Sequence, residues 1–385
     1  MPPPPPPPPP RSAAAHYGLA GRAALVTGGT KGIGAASVLE LAGLGCRVLF
    51  CARTEADVSA REAEWRHMGH DVRGLAADVA SREGVAAIVA AAAAFCANGD
   101  NGKGGGGKED CAPTAPTPTC PPRLDVLVLN AGTNVQLPTV DYELPRHYDE
   151  IVGTNLGAPI ALAQALHPLL AAPAAASREA AEAGGGGGGG PDAAAAEAAG
   201  QGRDADADED ASSVVLVSSV AGGPLAGRSG LLYGASKAGL NHVARLLAAE
   251  WGGGARQEAA AVADAGAAAA ATAAAGAAPA AHAAAAAAAA APPAPCPRAA
   301  ARPPARRIRV NAVAPWVTLT DLGLQNLAAD PSAARRLLER TPLGRLARPA
   351  DVSAAVAFLA SPRLAGYVTG QVLAVDGGYS VKGYW

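Results

Sequence analysis

The sequence predicts an α/β fold: one doubly wound parallel sheet of about seven strands with helices on both faces. Three observations lead there. Short apolar runs alternate strictly with helical stretches from residue 22 onward, the order that builds a parallel sheet covered on both sides. A glycine-rich turn, Thr27-Gly28-Gly29-Thr30-Lys31-Gly32-Ile33-Gly34, joins the first apolar run to the first helix. Once compositionally biased segments are set aside, about 246 residues remain, the size of one such domain.

The elements follow in order. Arg22–Thr27 is a short apolar run suited to a buried strand, and Ile33–Leu44 reads as the helix after it. Arg47–Cys51 is a second strand, followed by a charged amphipathic helix over Glu55–Met68. Asp71–Ala77 and Arg82–Phe95 repeat the unit. Leu124–Leu129, Val214–Val217, Ile308–Ala314 and Val372–Val375 continue the strands. Helices near Arg146–Leu170, Tyr233–Trp251 and Ala350–Leu359 lie between them.

Residues 1–18 open on polyproline and read as an extended, solvated tail, leaving 19–385 as a single domain. Three segments interrupt that domain. Residues 97–122 are rich in Gly, Pro and Thr. Residues 172–212 hold a glycine run at 184–190 and the acids Asp204, Asp206, Asp208, Glu209 and Asp210; 252–305 is nearly all Ala, Gly and Pro. None offers enough large apolar side chains to bury, so disorder or loose helix is expected. Each follows a helix and precedes a strand, which places it at the N-terminal edge of the sheet. Ligands of open α/β sheets bind at the opposite, carboxyl edge.

Composition excludes several classes. A formal net charge of −2 leaves no nucleic-acid footprint. The alanine tract is long enough for a membrane span, but Asp264, Pro279 and His282 interrupt it, so no membrane association is expected. Cys46, Cys51, Cys96, Cys111, Cys120 and Cys296 form no Cys-x-x-Cys pair, and they read as free thiols rather than a zinc site or disulfide framework. The start of the chain lacks the apolar stretch of a secretory signal. A cytoplasmic location is expected, with a plastid as the alternative because of Arg11, Ser12 and Ala13.

Two motifs carry chemistry. In the glycine-rich turn, Gly28, Gly32 and Gly34 let the backbone bend and approach a pyrophosphate, whose charge the helix N-terminus meets. The second strand ends Phe50-Cys51-Ala52-Arg53 with no carboxylate to hold a ribose diol. Lys31 and Arg53 can instead converge on a 2′-phosphate, which points to NADP(H). The second motif is Tyr233-Gly234-Ala235-Ser236-Lys237, a phenol and an ammonium one helical turn apart. A nearby ammonium favours the phenolate, so the tyrosine pKa should fall from about 10 toward neutrality, suiting it to acid–base work at a carbonyl or alcohol. Only five of the 31 basic residues are lysines, so a lysine here suggests a need for a compact ammonium.

With these motifs in order, the chain resembles the short-chain dehydrogenase/reductases and is most similar to their tropinone-reductase-like group. Ala23-Ala24-Leu25-Val26-Thr27-Gly28-Gly29, Glu64-Trp65-Arg66, Ala249-Glu250-Trp251 and Arg307-Ile308-Arg309-Val310-Asn311 carry the likeness. So do Tyr367-Val368-Thr369-Gly370-Gln371 and the terminal Val375-Asp376-Gly377-Gly378. The likeness covers the core and none of the three segments. It implies a Rossmann-type fold and a site in which Thr30, Lys31 and Ile33 join the glycines at the cofactor. Asp78 and Val79 would hold the adenine, with Asn130, Ala131 and Gly132 beside the cofactor; Leu129 stands where the family usually has a second asparagine.

The resemblance further implies that Asn155 holds a proton-relay water, Ser219 binds the reacting oxygen, Tyr233 gives the proton, and Lys237 tunes Tyr233 and holds the nicotinamide ribose. Ser219 lies 14 residues before Tyr233 where 13 is usual, which implies one extra residue within 222–232 and leaves Ser218 as the alternative. Pro315, Val317 and Thr320 align with the loop that receives the carboxamide. Trp316 would line the substrate pocket or pack against the sheet edge. The implied function is an NADPH-dependent ketone reductase or alcohol dehydrogenase working as a homotetramer or dimer on a small molecule. A 3-oxoacyl-[acyl-carrier-protein] reductase is the enzyme alternative, with Arg335, Arg336 and Arg340 meeting an acidic carrier. A catalytically idle NADP-binding scaffold is the alternative of another class.

Overall fold

The computed structural model describes residues 13–98, 122–172, 210–223, 230–253, 306–321, 323–324 and 331–382. Its strands are β1 (Ala23–Thr27), β2 (Arg47–Ala52), β3 (Val72–Ala76), β4 (Val126–Leu129), β5 (Ser212–Val217), β6 (Ile308–Pro315) and β7 (Val372–Val375). They form one sheet in the order β3-β2-β1-β4-β5-β6-β7, parallel throughout. The order reverses between β1 and β4, so a crevice opens there at the carboxyl edge. The helices are α1 (Ala13–Tyr17), α2 (Gly32–Gly43), α3 (Glu55–His67), α4 (Arg82–Ala97) and α5 (Arg146–Tyr148). They continue as α6 (Ala158–Leu170), α7 (Leu231–Trp251), α8 (Pro331–Arg340), α9 (Pro349–Ala360) and α10 (Pro362–Ala365).

Alternate strand residues feed two separate cores, one on each face, which is why the strands read as continuous apolar runs. Leu25, Leu49, Leu127 and Leu216 pack with Ile88, Leu162, Leu166 and Leu240 of α4, α6 and α7. On the other face Val26, Phe50, Val128 and Val215 pack with Leu41, Trp65 and Val356 of α2, α3 and α9. Trp65 stands edge-on to Phe50 with ring centroids 5.0 Å apart.

Three expectations change. Residues 13–17 are helical and belong to the fold, because Ser361 Oγ donates to the Tyr17 carbonyl (2.6 Å) and Arg363 Nη1 to that of Ala15 (2.6 Å). Those anchors lie far along the chain, beyond the reach of a local reading. The helix expected over 146–170 is instead α5, a π-helical stretch over Asp149–Gly157, and α6. Asp210 belongs to the core fold and not to the acidic part of the second biased segment. Most of the three biased segments, with Cys111, Cys120 and Cys296, lies outside the described residues.

Asp210 joins an ion cluster at the N-terminal edge. The buried Asp125, just before β4, accepts from Arg306 Nη2 (2.7 Å), Arg123 Nη2 (3.0 Å), Arg22 Nη1 (3.4 Å) and the Ala23 amide (2.9 Å). Arg123 Nη1 also donates to Asp210 (2.9 Å). Cys46, Cys51 and Cys96 are buried free thiols, each pushed up to about 12 by burial, so they stay protonated at neutral pH. Among the described residues no helix is long and apolar enough to cross a membrane, and no cluster of His, Cys, Asp or Glu could hold a metal.

Candidate active site

At the carboxyl edge, β1 runs into the glycine-rich turn. A Cβ on Gly34 would stand 2.1 Å from the Gly28 carbonyl oxygen, so only glycine lets α2 start against that loop. Gly28 and Gly32 take positive φ of 65° and 55°. Lys31, the residue before α2, makes no side-chain cap, so the first-turn amides of α2 stay open to an anion. Asn130 fixes the turn: its Nδ2 donates to the carbonyls of Thr27 (2.9 Å) and Gly28 (3.1 Å). Thr320, beyond β6, packs where a Cβ on Gly32 would lie (2.9 Å), carrying the loop after Pro315 and Val317 over the turn. Thr30 is buried under it and Ile33 packs on the core.

Asp78 is exposed beyond β3, where its Oδ1 accepts from the Ala80 amide (3.0 Å), while Val79 turns into the core. Ala131 and Gly132 follow Asn130; a Cβ on Gly132 would stand 3.2 Å from Asn155 Oδ1 and 3.5 Å from Lys237 Nζ. Lys31 and Arg53 are both exposed, and Lys31 Nζ lies 2.8 Å from Asp57 of α3. Arg61, a residue no motif singles out, donates from Nε to the Thr30 carbonyl (3.2 Å).

Asn155, Ser219, Tyr233 and Lys237 come together beside this crevice. The half-buried Ser219 hydrogen-bonds the Tyr233 hydroxyl, and its Oγ accepts from the Ala221 amide (3.1 Å). Ser218, the alternative to it, has a buried Oγ that donates to the Lys237 carbonyl (3.2 Å). Lys237 is buried, its Nζ donating to the Val217 carbonyl (2.9 Å), 5.7 Å from the Tyr233 ring centroid. The Asn155 side chain is spent within the protein. Its Oδ1 accepts from the Thr133 amide (2.8 Å), and its Nδ2 donates to the Thr133 carbonyl (2.9 Å) and Ser236 Oγ (3.2 Å).

The electrostatics correct one expectation. Burial pushes the Tyr233 phenol up, and the Ser219 hydrogen bond offsets only part of that. Lys237 does not pull the phenol down as the i,i+4 spacing suggested, because its own buried ammonium, aimed at Val217, is brought down to about 8. A neutral phenol beside an ammonium can donate a proton to an oxygen that becomes negative.

Trp316 stacks on Tyr379 (centroids 3.6 Å, planes 10° apart). The loop expected to carry one extra residue lies partly outside the described residues, at 224–229. At its far end Gly230 abuts Tyr142, whose hydroxyl donates to the Val135 carbonyl (2.9 Å); nothing in the sequence marked Tyr142.

Gly222 sets the distance between the two halves of the site. A Cβ there would lie 2.5–2.6 Å from the Lys237 and Ala238 backbone. Gly222→Ala is therefore expected to push the turn after Ser219 off α7 and to lower kcat by about 10²-fold, since misplacement by ~1 Å can cost that much. Steady-state rates beside a dinucleotide titration check this; an unchanged kcat would contradict the positioning role.

Comparison with known proteins fits this geometry. A family model described as short chain dehydrogenase matches residues 22–98, and one described as enoyl-(acyl carrier protein) reductase matches 254–380. A tropinone reductase homolog of Arabidopsis thaliana is 31% identical over 368 residues, covering 96% of this chain and 96% of that protein. A tropinone reductase homolog of Datura stramonium is 28% identical over 371 residues, covering 96% and 95%. Among solved structures, a protein described as an NAD(P)-dependent gluconate 5-dehydrogenase of Beutenbergia cavernae, with NADP bound at low occupancy, superposes with a TM-score of 0.60. It is 25% identical, over 95% of this chain and 99% of that one. A full-length relative at 31% identity and a seven-stranded parallel sheet of this order together place the chain in the short-chain dehydrogenase/reductase family.

Proposed function

We propose that the protein is an NADPH-dependent carbonyl reductase, also able to run as an alcohol dehydrogenase, acting on a small ketone or secondary alcohol. The observation that carries this is the meeting of Tyr233, Ser219 and buried Lys237 beside a glycine-rich turn shaped for a dinucleotide. The residues fit that cofactor. Missing Cβ atoms at Gly28, Gly34 and Gly132 leave a cradle, the α2 amides are open, and exposed Lys31 and Arg53 suit a 2′-phosphate. The relatives' names, tropinone reductase homologs and a gluconate dehydrogenase, belong to the same ketone–alcohol chemistry.

When bound, the nicotinamide supplies a hydride to the carbonyl carbon. Tyr233 gives its phenolic proton to the carbonyl oxygen as charge develops there, and Ser219 donates a hydrogen bond to the same oxygen. To stabilise the phenolate that Tyr233 becomes, the Lys237 ammonium would turn from the Val217 carbonyl toward the ring, whose centroid lies 5.7 Å away. Asn155, with its side chain tied to Thr133 and Ser236, holds the π-helical stretch against α7, where a water can return the proton. The acyl-carrier-protein alternative keeps its basic surface on α8, since the contacts of Arg335 with Glu339 (2.8 Å) and of Arg336 with Ser332 (2.5 Å) are exposed and readily exchanged; the thioester in the test below separates it from the ketone reading. The four converging side chains favour an enzyme over an idle scaffold.

The test is oxidation of NADPH, with NADH in parallel, against ketones, quinones and an acetoacetyl thioester. A rate with a ketone and NADPH is expected; none on any class, with NADPH bound, would overturn the reading. Because Tyr233 is raised, the reductive kcat/KM should be level near neutrality. It should decline as pH climbs past about 8, where Lys237 loses its charge. A profile still rising at pH 9 would contradict these roles.

A further inference from the structure

Helix α3 begins with an unused device. Thr54 is its N-cap and Asp57 lies three residues on, the spacing of a capping box, in which each side chain would satisfy the other's backbone amide. The Thr54 side chain makes no cap hydrogen bond. The Asp57 carboxylate instead reaches across to the glycine-rich turn and grips Lys31 Nζ at 2.8 Å. Both side chains are substantially exposed, at 58% for Lys31 and 37% for Asp57, and exposed pairs of this kind are weak and readily exchanged.

Several charges face Lys31. Asp57 bonds it and holds its ammonium above the ordinary lysine value, Asp321 after β6 adds to this from farther off, and Arg61 opposes it. Lys31 is one of the two cations available to a 2′-phosphate, so the anion and Asp57 compete for one ammonium. A released Asp57 has a place to go, because a carboxylate in the first turn of α3 is favoured by the helix dipole and can complete the box with Thr54.

We propose that Asp57 is a specificity-setting residue: it occupies Lys31 until a 2′-phosphate displaces it, then turns back to cap its own helix. This rests on the NADP(H) reading above. Asp57 tempers the preference for the phosphorylated cofactor, since an adenosine without the 2′-phosphate leaves the Lys31–Asp57 pair intact.

The test is calorimetric titration of the full chain with adenosine 2′,5′-bisphosphate and with 5′-AMP, for wild type, Asp57→Asn, Lys31→Met and the double variant. Asp57→Asn should tighten the bisphosphate about 3- to 10-fold and leave 5′-AMP unchanged. The tightening should vanish in the Lys31→Met background. Tightening of equal size in that background would mean Asp57 merely repels the phosphate directly, and no tightening in either would mean it does not compete; each overturns the proposal. A wild type that binds the bisphosphate no better than 5′-AMP would remove the NADP(H) reading itself, and this proposal with it.

Discussion

Replacing Tyr233 with phenylalanine is expected to lower reductive turnover by about 10²–10⁴-fold, the range that a positioned general acid supplies, while NADPH binding stays within about twofold. The substitution removes one oxygen and leaves the ring in place near Lys237, so α7 keeps its packing and its Lys237–Val217 hydrogen bond. What disappears is the proton that must reach the carbonyl oxygen, together with the partner of the Ser219 hydroxyl. Ser219 and Lys237 remain, but serine is far too weak an acid to replace the phenol, and the Lys237 ammonium is turned to a backbone carbonyl. The check is a single-turnover measurement beside a fluorescence titration of NADPH. Residual turnover above about a tenth of wild type would remove Tyr233 from the role of proton donor.

The framework of this fold was legible because both faces of the sheet are buried at its five inner strands. Runs such as Ala23 to Thr27 or Val214 to Val217 have no solvent face to interrupt them, and the glycines of the first turn are demanded by backbone contacts at short range. Positions that owe their state to a partner far along the chain were not legible. The reading of Tyr233 and Lys237 as a coupled pair followed helix spacing, but burial outweighed the pair, and Val217, 20 residues before the lysine, took the ammonium. The glycine-rich turn marks Lys31 for a 2′-phosphate but gives no sign of Asp57, which holds its ammonium at 2.8 Å. Ser218 and Ser219 are neighbours with the same chemistry; strand alternation sends one under α7 and the other toward the phenol. The strand before them begins at Ser212, two residues earlier than the apolar run, because the hydroxyls of Ser212 and Ser213 are buried against the carbonyls of Leu170 and Leu359.

The largest loss of stability is expected from Asp125→Asn. Burial alone would raise this carboxyl, yet Arg306, Arg123 and Arg22 together hold it below the ordinary carboxylate range. An amide can still accept from the Ala23 amide but brings no charge, so three guanidiniums remain around a neutral group, with the Arg306 side chain only 1% exposed. Breaking a buried pair in this way costs about 3–5 kcal/mol, out of roughly 5–15 kcal/mol for a whole domain. The sign of the pH dependence follows from the depressed carboxyl. Its contribution is complete above the unfolded value near 4 and is lost as pH falls through the lower folded value. Urea denaturation should therefore separate wild type and variant widely at pH 7, with the gap closing in acid; a gap that persists unchanged below pH 3 would contradict the assignment. The expected effect on chemistry is different. Arg123, Asp210 and Arg306 stand where the chain re-enters the described fold after each biased segment; at the N-terminal edge the two arginines bind Asp125, and both also pair with Asp210. Tyr233, Ser219 and Lys237 lie at the carboxyl edge, with the length of the strands between. The folded fraction of the variant should keep its kcat, because the cluster fixes where the chain returns to the sheet and touches none of the reacting groups.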